Sequence, residues 1–145
     1  MRALRRSYLI KGIFLSIVFL CGNCVNKQEI EIRNFLIIAE QNTIEAIEEL
    51  GEARSMDEVI ENIESYTDKM QNFKIQITSF FERNPQLKNK LPQLRSKFQK
   101  EIGDYILATR NVGQLLEELK KKYGQNKKFM ETMDIFYRIG RRINF

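Results

Sequence analysis

Apolar residues return every three or four positions along most of the chain, the spacing of one face of an α-helix. The longest run is Leu94, Phe98, Ile102, Tyr105, Thr109, Val112, Leu116, Leu119 and Tyr123. It predicts a helix over residues 92–122. A second seam, Val59, Ile63, Tyr66, Met70, Phe73, Ile77 and Phe80, alternates threes and fours in the manner of a coiled coil. Ahead of it, Ile30, Ile37, Ile44 and Ile47, with Phe35, Leu36, Ile38, Ala39 and Ala46, give a broader face over residues 28–50. Near the C-terminus a helix is expected over residues 126–142, where Phe129, Met130, Met133, Phe136, Tyr137, Ile139, Gly140 and Ile143 give a wide apolar face.

The boundaries of these helices carry their own signals. Ser55-Met56-Asp57-Glu58 is a capping box: the Ser55 hydroxyl accepts from the Glu58 amide while the Glu58 carboxylate reaches back to Ser55. Asn84 and Pro85 stop the second helix, and Asn84 is placed to cap whatever follows. Pro85-Gln86-Leu87-Lys88-Asn89-Lys90 is then echoed by Pro92-Gln93-Leu94-Arg95-Ser96-Lys97, and Pro92 either breaks or kinks the chain there. This stretch reads as a structural corner, with a partner-binding element as the alternative. Gly51 and Gly124 are expected helix stops and Asn126 an expected cap. Short connections between antiparallel helices, with only 7 Gly and 2 Pro, predict an all-α fold. Its expected form is a three- to four-helix up-and-down bundle with coiled-coil-like seams, closed by the apolar Ile143-Asn144-Phe145. Ile63, Phe73 and Leu116 are expected in its core.

The first two dozen residues break this pattern. Arg2, Arg5, Arg6 and Lys11 precede a short apolar run, from Ile13 to Leu20, which ends at Cys21-Gly22-Asn23-Cys24. A basic start, a run too short to span a bilayer and small residues at its end are the marks of a secretory signal. Ending at a cysteine, the segment resembles the signal peptide of a bacterial lipoprotein precursor with a loose, spirochaete-like lipobox. In that family the cysteine thiol receives a diacylglycerol and a peptidase cuts just before it. The resemblance implies lipidation at Cys24, whose preceding residues are small or medium, with Cys21 behind the bulky Leu20 as the alternative. Residues 1–23 are then the signal peptide, 24–27 a lipidated tether and 28–145 the helical domain. The resemblance further implies a cell-envelope location, anchored to the inner or outer membrane and facing the periplasm or the cell surface. An uncleaved membrane anchor, and a Cys21–Cys24 disulfide, are the other readings of the segment.

Charge changes the picture less than the formal +5 suggests. Removing the four basic residues of the signal leaves 20 basic against 19 acidic, a net of +1. The signs are segregated: residues 24–82 carry 5 basic and 13 acidic side chains, residues 83–145 carry 15 and 6. Acidic helices packed beside basic ones are expected to neutralise each other. Lys120, Lys121, Lys122, Lys127, Lys128, Arg138, Arg141 and Arg142 nonetheless form a basic C-terminal end. An anchored protein could turn such an end towards anionic lipid. Nucleic acid is the weaker reading, because the neighbouring aromatics sit at seam positions and export separates the protein from nucleic acid.

Candidate chemistry is sparse. There is no histidine, which removes the commonest general base near neutral pH, any Ser-His-Asp triad and the Glu-x-x-His pairs of metal-binding bundles. No cysteine follows Cys24, so the domain has no thiolate zinc site and no disulfide framework. The glycines are scattered singly, without a phosphate-binding loop. Glu45, Glu48, Glu49 and Glu52 read as a solvated helix end. The expectation is a non-enzyme without cofactor or metal, held to the membrane by its lipid. It would act as a binding or structural module with an envelope protein partner, or as an envelope chaperone presenting an apolar groove. Met130 and Met133 mark one candidate face for that groove.

Overall fold

The computed structural model describes residues 27–140. They form α1 (Lys27–Glu52), α2 (Met56–Arg83), a 3-10 helix (Pro85–Lys90), α3 (Leu91–Lys97), α4 (Gln99–Tyr123) and α5 (Lys127–Gly140), with no strand among the described residues. The fold is an all-α bundle. The signal, Cys21, Cys24 and the tether lie outside the described residues, as do Arg141, Arg142 and the terminal apolar triplet.

Chain direction alternates. The start of α1 meets the start of α4 through the ion pairs Arg33–Glu101, at 2.8 Å, and Lys97–Glu29. Ile32 and Leu36 share a core cluster with Phe80 at the end of α2 and with Leu87, Leu94 and Phe98. Ala46 and Leu50 share the other cluster with Val59 and Ile60 at the start of α2 and with Val112 and Leu116 on α4. So α1 and α4 run parallel, and α2 runs against both. α5 returns along α2, burying Phe129 and Met133 in the second cluster. The end where α1 enters is closed by the 3-10 helix and α3. The distal end holds both tight connections, α1–α2 and α4–α5. The described part of α5, 14 residues against 26 for α1, packs on the distal half of the bundle.

The buried stripe of α1 is Ile32, Leu36, Ala39, Thr43, Ala46 and Leu50, a strict four-three alternation. It is offset from the isoleucine series: Ile30 and Ile44 are exposed, as is Ile38. Small side chains occupy the middle of the stripe, with Ala39, Thr43 and Ala46 at 0% exposure. Counting bulk favoured the isoleucines; close packing selects the small residues. The seam of α2 holds, with Ile77 its one half-buried member. On α4, Thr109 leaves the seam and turns its hydroxyl to the Tyr105 carbonyl at 2.9 Å, while Ala108 is buried instead. A straight helix of 3.6 residues per turn drifts off a 3.5-residue repeat over this length.

The caps differ in detail from the sequence expectation. The Glu58 amide donates to Ser55 Oγ at 3.2 Å, as expected, but the Glu58 carboxylate accepts from the Arg54 amide at 2.7 Å, one residue further back. Gly51 does not end α1, which continues to Glu52. Asn62 Nδ2 on α2 instead donates across the connection to the Glu49 carbonyl at 2.8 Å. Asn84 caps backwards: its amide nitrogen donates to the Phe80 carbonyl at 2.8 Å, and its oxygen accepts from Gln28 Nε2 at 2.6 Å. That side chain therefore ties the end of α2 to the start of α1 and leaves the 3-10 helix uncapped. Asn126 behaves as expected, accepting from the Phe129 amide at 3.0 Å. Pro92 sits in the first turn of α3, and the irregularity falls at Phe98, with φ −104° and ψ 26°. Hydrogen bonds from the Phe98 amide to Leu94 and from the Ile102 amide to Phe98, both 2.9 Å, carry the chain through.

Candidate functional site

Among the described residues, hollows lie between α2 and α4. Two adjoining hollows of about 600 and 610 Å³ share Tyr105 and Ile106. The distal hollow is walled by Tyr66, Met70, Val112, Phe136 and Ile139; the other by Ile77, Phe81, Leu91, Phe98 and Ile102. Arg110 and Arg95 are the charged residues lining them. Both volumes lie within the about 300–1,000 Å³ range of small-molecule and peptide-anchor sites. Ile106 is 52% exposed in this groove, and Leu107 beside it on the outer face is 55% exposed.

The apolar face of the last helix divides between core and groove. Phe129 and Met133 have 0% exposure and pack in the core, while Phe136, Tyr137 and Ile139 of the same face line the distal hollow. Ile106 and Leu107 were missed because the sequence places them beside the seam rather than on it. Two adjacent off-seam aliphatics were the available signal.

The tyrosines around the groove are held neutral. Thr43 Oγ1 donates to the Ala39 carbonyl at 2.8 Å, which uses its one hydrogen. Tyr66 OH, 3.0 Å from Thr43 Oγ1, is therefore the donor of that pair. Burial, the main cause, pushes the Tyr66 phenol up to about 12. Tyr105 is likewise raised by burial. Tyr137 donates to Glu117 at 2.8 Å; burial, then that bond and the Glu117 charge, raise it to about 12. None of the three is poised as an acid or base near neutral pH.

The basic residues singled out from sequence separate into two places. Lys120, Lys121 and Lys122 in the last turn of α4 meet Lys127 and Lys128 in the first turn of α5 at the distal end. Lys122 Nζ lies 4.9 Å from the Tyr123 ring centre, and Lys127 pairs with Glu131 at 3.7 Å. Arg138 stands ten residues beyond Lys128, about 15 Å along α5, and does not join them. Glu48, Glu49, Glu52, Asp57 and Glu58 occupy the same distal end on the α1–α2 connection, so acidic and basic side chains converge there.

Among the described residues, no group of three or more His, Cys, Asp or Glu is placed to hold a metal ion. No helix of the described residues is long and apolar enough to cross a membrane. No family model matches the chain, and neither the curated proteins nor the solved structures compared with it contain a match.

Proposed function

We propose that this is a lipid-anchored, all-helical protein of the cell envelope that works as a binding module. The anchor reading is carried by one observation: a basic, apolar, small-residue signal ends at Cys24, three residues before α1 begins at Lys27. An acylated amino-terminal cysteine supplies more than one chain, and each buried CH₂ contributes about 0.8 kcal/mol, enough for stable anchoring. The absence of histidine and the neutral tyrosines favour binding over catalysis. Labelling cells with a radioactive or alkynyl palmitate tests the anchor. Cys24→Ser should abolish incorporation and Cys21→Ser should leave it. The reverse pattern moves the anchor to Cys21, and labelling of neither parent nor variants contradicts the reading.

A second reading, an envelope chaperone or assembly factor, is favoured by the groove between α2 and α4. Ile106 and Leu107 expose apolar surface beside it, the kind of patch that marks an interaction site. Its occupant would be an apolar segment of a client. The parent chain should then enhance the fluorescence of a hydrophobic dye, and Ile106→Asp should reduce that enhancement. A parent chain that leaves the dye dark would contradict this reading.

A further inference from the structure

The geometry points to a membrane-facing surface at the corner formed by residues 83–100, which binds the head groups of anionic lipids. The inference rests on lipidation at Cys24. From Cys24 to Lys27 the chain can span no more than about 11 Å. The end of the bundle where α1 enters is therefore the end held next to the bilayer. The distal lysines, Lys120 to Lys128, lie the whole length of α1 away, about 39 Å for its 26 residues. That is several times the screening length of about 8 Å at physiological salt.

The entry end has the matching charge. Residues 83–100 hold Arg83, Lys88, Lys90, Arg95, Lys97 and Lys100 and not one Asp or Glu. Lys97 is engaged by Glu29. Lys88, Lys90 and Lys100 are exposed and have no carboxylate partner among the described residues. The sequence repeat explains how the corner presents them. In each copy the leucine turns inward, Leu87 and Leu94 being buried with Phe98 and Phe80, and the basic residues after it face solvent. The tie from Asn84 to Gln28 and Phe80 fixes the corner to both long helices. The backbone that carries these cations is thus tied to both long helices at the end where α1 enters. Each cation near an anionic surface strengthens association by about fivefold.

The test uses the full acylated chain in nanodiscs of phosphatidylcholine, with and without phosphatidylglycerol. Lysine acetylation rates are read residue by residue by mass spectrometry. The expected result is at least about fivefold slower acetylation at Lys88, Lys90 and Lys100 in the anionic discs alone, reversed by high salt, with Lys120, Lys121, Lys127 and Lys128 unchanged. Lys88→Glu with Lys90→Glu, both exposed and without structural partners, should release Lys100 as well. Protection at the distal lysines, protection equal in both lipids, or none at the corner would overturn the inference. Intact mass of the same sample separates the two ideas. An acylated chain with an unprotected corner sinks this surface and leaves the anchor standing. A chain without acyl groups removes both.

Discussion

Ala39, Thr43 and Ala46 decide how closely α1 approaches its neighbours, because all three have no exposed surface and no bulk to spare. Enlarging one of them should cost more than trimming a nearby isoleucine. Ala39→Leu is expected to destabilise the bundle by about 1–3 kcal/mol through overpacking. Ile44→Ala, at a position 41% exposed, should cost less than about 1 kcal/mol. Leu116→Ala, at a fully enclosed site, should cost about 2–5 kcal/mol. Urea unfolding of the three variants checks the ranking, and an Ile44→Ala loss exceeding that of Ala39→Leu would contradict the packing. Tyr66 adds a pH dependence. Its folded pKa, about 12, lies above the ordinary 10, so the fold favours the neutral phenol. That contribution is complete below about pH 10 and is lost as pH rises towards 12. Thermal unfolding should therefore weaken over that interval, and Tyr66→Phe should flatten the decline. Hydrophobicity revealed most core residues, Ala39 and Ala46 among them, but it missed Thr43, because a polar side chain gains its place from what packs on it.

At the scale of the elements, the two connections at the distal end use glycine differently. Gly124 has ordinary right-handed backbone angles, φ −63° and ψ −12°, but a Cβ there would sit 2.5 Å from the Lys120 carbonyl oxygen. Gly51 lies inside α1, where a Cβ would meet nothing within 4 Å. Gly124→Ala is expected to destabilise by about 1–2 kcal/mol, whereas Gly51→Ala should stabilise by about 0.4–1 kcal/mol by restricting the unfolded chain. Differential scanning calorimetry should move the two melting temperatures in opposite directions; a shared direction would contradict this account. The long helices were legible because their periods run for many turns and their stops are chemically marked. Cap partners were less so. Asn84 accepts from Gln28 and Asn62 donates to Glu49, partners that the fold brings near, and Glu58 chose between two adjacent amides on local geometry.

For the molecule as a whole, the segregation of charge along the sequence has a spatial counterpart. Acidic groups of the α1–α2 connection and lysines of the α4–α5 connection converge at the distal end, while the corner over residues 83–100 has only cations. Sequence order suggested a basic C-terminal end; parallel packing of α1 and α4 puts that end far from the point where the chain enters. The groove was less legible for a related reason: its walls come from α2, α4 and α5 together, which only the packing brings to one place. Under the proposed lipidation at Cys24, so short a tether would orient the bundle with the start of α1 towards the lipid. The central claim is that acylated anchor. The most direct measurement is the intact mass of the protein from native membranes, with fragmentation of its N-terminal peptide. The account predicts a chain beginning at Cys24 and carrying acyl groups. An unmodified chain beginning at Met1 would contradict it.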